Sequence, residues 1–343
     1  MKLVQVEEAV GMILAHDMTE IIPGKSKCAV FKKGQVIKEE DVPRLLRMGK
    51  AHIGILEFKE GDIHENEAAI RMAAAAAGPG IELTEPSEGK VSFAAKITGL
   101  LKINYRALHE INSIEEIIMA TRHTDIVIET GTVVGGTRII PLITDVQKIV
   151  KVEKLCKDNN PIVQILPLRK LKIGIVTTGS EVYHKRIPDK FGPVLRNKFD
   201  ELGCEVMEQV IVDDNAEMIA ESIQKLIKQG ADLIACTGGM SVDPDDVTPL
   251  GIRKTGASVV SYGAPTLPGS MFMLSYKNNI PIVGLPGCVM YSKRTIFDLT
   301  VPRLIAGEKL TKEDIISLGH GGFCSSCEVC TFPNCGFGKG GLY

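Results

Sequence analysis

Three short runs place hydroxyls, glycines and carboxylates where an apolar stretch ends: Thr177-Thr178-Gly179-Ser180-Glu181, the longer run from Thr237 to Thr248, and Gly284-Leu285-Pro286-Gly287-Cys288. The second is the most informative. Its Gly238-Gly239 pair lets the backbone approach an anion closely, while exposed amides and the Thr237 and Ser241 hydroxyls supply donors to a phosphate. Asp243, Asp245 and Asp246 follow at once. Three carboxylates repel a phosphate unless a divalent cation lies between, and hard oxygen ligands suit magnesium, which keeps its waters and bridges to phosphate oxygen. The first run is also what an ordinary turn with a helix cap looks like. In the third, proline and glycine hold a turn in one shape that lines a flat ring system, and an ordinary tight turn has the same composition.

A second cluster sits at the C-terminus, where Cys324, Cys327, Cys330 and Cys335 fall among six glycines, Gly321, Gly322, Gly336, Gly338, Gly340 and Gly341. Thiolates at this density bind Zn2+ or an iron-sulfur cluster far more often than they serve packing. The spacing is close to the ferredoxin run, with four residues instead of three before the last cysteine. A mobile tail that hands over metal or sulfur, or engages a partner, is the alternative. The other cysteines, Cys28, Cys156, Cys204, Cys236 and Cys288, are scattered beside mostly apolar residues and read as small hydrophobes. This asymmetry argues against a secreted disulfide framework.

These loops need elements to present them. From Leu171 the chain alternates strand, loop and helix: strands over 172–176, 205–212, 232–236 and 281–285, with helices over 194–202 and about 215–229 ending at Gly203 and Gly230. That alternation predicts an α/β fold, an open and mostly parallel sheet with helices on both faces. Ligands then sit beyond the carboxyl ends of the strands, where the three runs lie. Residues 1–160 read differently, as an α+β region of one or two subdomains. It has a short helix near 39–46, a strand near 50–56 and a helix over 64–77 stopped by Gly78-Pro79-Gly80. Polar residues 154–161, ending in Pro161, read as a hinge, which gives an N-terminal region 1–160, an α/β domain 171–307 and a Cys/Gly-rich metal-binding tail 318–343.

The chain is long enough, at 343 residues, for two or three domains with cores of their own. Forty Lys plus Arg against 42 Asp plus Glu leave a formal charge of −2, so no basic field favours nucleic acid or an anionic membrane surface. The start of the sequence lacks the apolar core of a signal peptide and no apolar run is long enough to span a bilayer, which predicts a cytoplasmic protein. His184-Lys185-Arg186 is a candidate anion contact on the ligand side; Arg169, Lys170 and Lys172 read as solvated flanks, and His320 as a solvated residue.

In order along the chain, Thr177-Thr178-Gly179-Ser180-Glu181, Val212-Asp213-Asp214, the run from Thr237 to Thr248, Pro268-Gly269 and Gly284-Leu285-Pro286-Gly287 resemble the molybdopterin-binding domain of molybdopterin molybdenumtransferases. The ordered set is far more specific than any member of it. The resemblance implies a domain that binds molybdopterin, or its adenylylated form, while molybdate is inserted into the dithiolene. It implies catalytic or metal-proximal carboxylates at Glu181, Asp214 and Asp246. Pterin and phosphate contacts fall at Thr177, Thr178, Gly179, Ser180, Thr237, Gly238, Gly239, Ser241, Pro268, Gly269, Leu285, Pro286 and Gly287. It also implies a homodimer with a shared cleft, while the carboxylates of Asp243, Asp245 and Asp246 themselves are what suggest Mg2+ there. The sequence departs from the family in two places. Cys288-Val289 stand where the family loop continues with Asn-Pro, and residues 1–160 lack its Ser-Ala-Met-Asp-Gly-Tyr-Ala and Met-Thr-Gly-Ala-Pro segments; only Val6-Glu7-Glu8-Ala9-Val10-Gly11 with Ala15-His16-Asp17 look like a family start.

Three functions are compatible with these features. The leading one is an enzyme of molybdenum cofactor biosynthesis, a transferase inserting molybdate with Mg2+. The second is a non-catalytic carrier or sensor of the pterin, delivering it to a molybdoenzyme or another cofactor-assembly protein through the cysteine tail. The third is a hydrolase of nucleotide-like pyrophosphates or amides on the same fold, since fold does not fix function. The retained acidic set favours the first and the missing N-terminal segments the second.

Overall fold

The computed structural model of the chain describes residues 2–22, 26–241, 243 and 246–340. Two cores precede the α/β domain. The first gathers Val6, Leu14, Phe31, Leu45 and Ile53 between a three-stranded antiparallel sheet (Lys2–Gln5, His52–Leu56, Ile13–Leu14) and the helix Val42–Arg47. The second lies between helices Glu65–Ala76 and Val146–Asn159 and antiparallel strands that include Lys90–Ala95, Gly99–Ile103 and Val133–Ile139. Alanines at 68, 69, 73 and 76 let the first of these helices lie close on the sheet, where all four are fully buried.

The expected hinge over 154–161 is overturned. Residues up to Asn159 complete the helix Val146–Asn159, burying Ile149, Val152 and Cys156. The next strand, Val163–Pro167, still pairs with Gly99–Ile103 in the second core. Polarity on the outer face of an amphipathic helix imitated a linker. Burial pushes the Cys156 thiol up to about 11, which fits a packing residue. The chain reaches the α/β domain through 168–171, where the Arg169 guanidinium donates to the Leu304 and Ile305 carbonyls at 3.0 and 2.9 Å.

In that domain the elements are β1 (Lys172–Thr178), α1 (Ser180–Tyr183), α2 (Phe191–Glu201), β2 (Glu205–Val212), α3 (Ala216–Lys228), β3 (Leu233–Thr237), α4 (Thr248–Lys254), β4 (Ser258–Tyr262), β5 (Met273–Lys277), β6 (Ile280–Leu285), α5 (Ile296–Ile305) and α6 (Lys312–Ser317). They build a six-stranded sheet ordered β2-β1-β3-β6-β5-β4. The first four strands run parallel, whereas β5 is antiparallel to both β6 and β4. Apolar groups on one face (Ile173, Ile175, Leu233, Val283) pack on Leu195 and Phe199 of α2 and on the buried α5. On the other face Val176, Ile234, Cys236 and Ile282 pack on Ile219, Ile223 and Leu226 of α3 and Ile252 of α4. The fold is therefore the expected α/β sheet covered on both faces, which is why its central strands read as unbroken apolar runs. Among the described residues no helix is long and apolar enough to cross a membrane.

Candidate functional site

The register of the parallel strands sets the site. Thr177 on β1 pairs with Thr237 on β3, and Thr237 with Leu285 on β6, so the first, second and third runs leave the sheet side by side at its carboxyl edge. Thr177, Thr178 and Thr237 are buried there, and their hydroxyls need partners. The Thr178 and Thr248 hydroxyls lie 2.9 Å apart and share a hydrogen bond, tying the end of β1 to the first residue of α4. The Thr237 hydroxyl donates to Thr177 Oγ1 at 3.4 Å, and Gln209 Nε2 donates to the same oxygen at 3.0 Å. Gln209 also donates to Asp189 Oδ2 at 2.6 Å, while Asp189 accepts from the Phe191 and Gly192 amides at the start of α2. A chain of side chains thus runs from the start of α2 to the strand ends.

Gly238 has φ +84°, and a methyl group there would run into the Thr178 carbonyl oxygen. Only glycine permits both that conformation and that approach. The first and second runs are consequently in direct contact. Thr248 N donates to the Gly239 carbonyl at 3.2 Å, which folds the second run back toward α4.

The carboxylates fall into separate settings. Asp214 Oδ2 accepts from the Ser180 amide at 2.8 Å, which places its charge at the start of α1, beside Glu181. Asp213 Oδ1 accepts from the Asp214 amide at 3.0 Å, and Asp213 Oδ2 lies 3.4 Å from His184 Nε2. The amide hydrogen bond, aided by Ser180 and His184, holds the Asp213 carboxyl below its ordinary range. Glu181 is exposed, as are Lys185 and Arg186. In the second run Asp246 Oδ2 accepts from the Asp243 amide at 3.2 Å while the Asp246 amide donates to the Asp243 carbonyl at 2.9 Å, a closed turn. The Tyr262 hydroxyl donates to the Met240 and Ser241 carbonyls at 3.0 and 3.3 Å; burial, then the Asp246 charge, raises its pKa. Asp245 lies outside the described residues.

Leu285 and Pro286 are buried or nearly so at the end of β6, and Gly287 opens a short 3-10 turn, Gly287–Met290, in which burial raises the Cys288 pKa. Pro268 and Gly269 lie against the start of α5: Gly269 packs on Ile296, and the Pro268 carbonyl accepts from the Ile296 amide at 3.3 Å. Thr177, Thr178, Gly179, Ser180, Thr237, Gly238, Gly239 and Asp214 are thus brought together, Leu285 and Pro286 adjoin them, and Ser241, Asp243 and Asp246 follow on the exposed turn. Asp213 belongs to the Val212-Asp213-Asp214 run, whereas no motif marks Gln209 or Asp189. Gln209 follows Glu208 in the mixed sequence of β2, so nothing local marks it.

Among the described residues no three His, Cys, Asp or Glu side chains are arranged to hold one metal ion, neither at Asp243 and Asp246 nor at Cys324, Cys327, Cys330 and Cys335. In the second run the Asp246 carboxylate turns inward to cap its own loop. Magnesium requires only one or two carboxylates, its other ligands being waters and phosphate oxygens, so the donor chemistry of Asp243 and Asp246 still fits that ion. A separate cavity of about 500 Å3 lies away from these loops, between residues 102–125 and α5, α6 and the tail.

Residues 174–306 match the family described as "Probable molybdopterin binding domain", and residues 3–57 match one described as "Domain of unknown function (DUF8806)". The chain is 28% identical over 161 residues to a molybdopterin molybdenumtransferase of Haemophilus influenzae, covering 44% of this chain and 39% of that protein. It is 36% identical over 77 residues to a CinA-like protein of Mycobacterium tuberculosis, covering 22% of this chain and 18% of that one. The chain therefore spans well under half the length of either relative. Similar solved structures include the molybdopterin biosynthesis enzyme MoaB of Thermus thermophilus, at 19% identity and a TM-score of 0.33 over 40% of this chain and 98% of that one. Another is a CinA protein of unknown function from Thermoplasma acidophilum, at 16% identity and a TM-score of 0.31 over 34% and 89%.

Proposed function

We propose that residues 171–307, a domain of the molybdopterin-binding type, hold the phosphate of molybdopterin or of its adenylylated form at the Thr237–Gly239 turn and serve the insertion of molybdate into its dithiolene. The observation that carries this reading is the convergence of two glycine-containing loops at the carboxyl ends of adjacent parallel strands, locked by the Thr178–Thr248 hydroxyl pair at 2.9 Å. Exposed Ser241 and the amides after Gly238 are the donors available to a phosphate. The pterin ring rests against the third run, Leu285-Pro286-Gly287. Glu181 and Asp214 flank the first turn of α1, where backbone amides and carboxylates together orient an oxyanion substrate such as molybdate. Magnesium, when bound through Asp243 and Asp246, neutralises phosphate charge.

A second reading, a carrier or sensor that binds the pterin without turnover, is favoured by one sequence observation: residues 1–160 lack the two segments that complete the site in full-length transferases. Such a carrier delivers to a molybdoenzyme or cofactor-assembly protein, and a homodimer is a further way of completing the cleft from a second copy. Anaerobic titration with molybdopterin, with and without molybdate and magnesium, separates the readings. Quenched pterin fluorescence with molybdate-dependent formation of active cofactor supports the transferase. Quenching without product supports the carrier, and no quenching removes both.

A further inference from the structure

The tail 318–340 is folded, yet little in it explains why. It contains no helix or strand beyond a single bridged residue, Phe323 against Leu267, and Gly322 and Phe337 are its only buried residues. Chain of this kind buries too little apolar surface to offset its ordering entropy, and small units in that position need a cross-link or a metal. What its turns achieve is a common focus. Cys324, Cys327, Cys330 and Cys335 all line one cavity of about 320 Å3, whose far wall is the stretch 291–294 together with Pro268. The backbone is pinned on either side of it. The Leu267 amide donates to the Gly322 carbonyl and the Cys324 amide to the Leu267 carbonyl, both at 2.8 Å, and the Gly338 amide donates to the Gly321 carbonyl at 2.9 Å.

Positive charge faces the thiols. Arg294 lies 5.1 Å from the Phe332 ring centroid, and Lys293 Nζ donates to the Glu328 carbonyl at 2.7 Å. Arg294 is anchored by Asp298, whose Oδ1 accepts from its Nη1 at 2.9 Å. Cations in this position offset the excess negative charge of four thiolates around a metal centre.

The spread of the thiols distinguishes two kinds of centre. One tetrahedral zinc with Zn–S bonds of about 2.3 Å brings its sulfurs to within roughly 4 Å of each other. Here the four cysteines are spread around the wall of a cavity of about 320 Å3. Sulfurs distributed around a cavity suit a polynuclear centre, whose ligands attach to different iron atoms, and two successive Cys-x-x-Cys spacings are the pattern that wraps one. We propose that Cys324, Cys327, Cys330 and Cys335 ligate an iron-sulfur cluster in this cavity, walled by the segment that follows the pterin-side loop. The cluster is the staple that folds the tail.

The test uses the full chain, isolated without oxygen and incubated with ferric iron, sulfide and excess dithiothreitol, the thiol supplying the electrons that bring the iron to the mixed-valence state. The expected result is a broad visible absorption bleached by dithionite, with about four iron and four sulfide per chain. Cys327→Ser combined with Cys330→Ser should bring the iron below about one per chain and open the tail to protease. Wild-type protein that retains no iron after desalting overturns the proposal. So does protein that takes up zinc in preference to iron while its tail becomes protected. The wild-type metal content decides the matter even if the double variant fails to fold.

Discussion

The strand-end loops and the cysteine tail both concentrate reactive residue types, and they hold them by different means. Thr177 and Thr237 stand at the ends of adjacent parallel strands, so a backbone ladder fixes their separation before any side chain contributes. The buried hydroxyls and Gln209 then refine it. The tail has one bridged residue and a few turn hydrogen bonds, and its thiols surround a cavity without meeting. A sheet supplies geometry in the absence of ligand, whereas a glycine-rich turn region acquires it from whatever its side chains bind.

Paired glycines test this contrast most sharply. Gly238→Ala places a methyl group against the Thr178 carbonyl at φ +84°, where nothing nearby can yield. The expected cost is on the order of 3 kcal/mol in denaturant unfolding, with at least a tenfold loss of molybdopterin affinity. An unchanged midpoint would mean that the two loops do not touch in solution. Removing the Thr178–Thr248 bond comes next. Thr248→Val leaves a buried hydroxyl without its partner at a cost of about 2 kcal/mol, and adding Thr178→Val should cost less than the sum of the single changes. Strict additivity in the double-mutant cycle would break the picture of a locked strand end.

Gly338→Ala has a similar conformation, φ +75°, but its methyl meets the Leu299 side chain, which can shift. The expected cost is about 1 kcal/mol, felt as faster proteolysis of the tail with little change in global unfolding. Equal global destabilisation by Gly338→Ala and Gly238→Ala would show that tail and sheet unfold as one unit.

The smallest effect concerns pH. Asp213 has a folded pKa below its ordinary 3.8, so its contribution to stability is complete above the unfolded value and lost as the pH falls through the folded one. Asp213→Asn should therefore flatten the acid limb of a stability-pH curve and leave the neutral region almost unchanged. An acid limb that stays as steep in Asp213→Asn would sink this assignment.

The amino-acid sequence alone determined the parallel core and the loops. Apolar runs bounded by glycines and hydroxyls marked β1, β3 and β6 to within a residue or two, because strands buried on both faces leave continuous apolar text, and the strand over 205–212 coincided with the edge strand β2. Tertiary structure decided the rest. The strands β4 and β5 and the helix α5 carry mixed patterns, and α5 is buried along its whole length, so no amphipathic period marks it. The apparent hinge over 154–161 was the polar face of a helix. Gln209 meets Thr177 across 32 residues of sequence and Thr178 meets Thr248 across 70, contacts that exist only once the sheet has set its register. Local residue types announce which chemistry a loop can perform; whether four cysteines share one cavity, or a carboxylate caps its own turn, depends on chain paths that no short window contains.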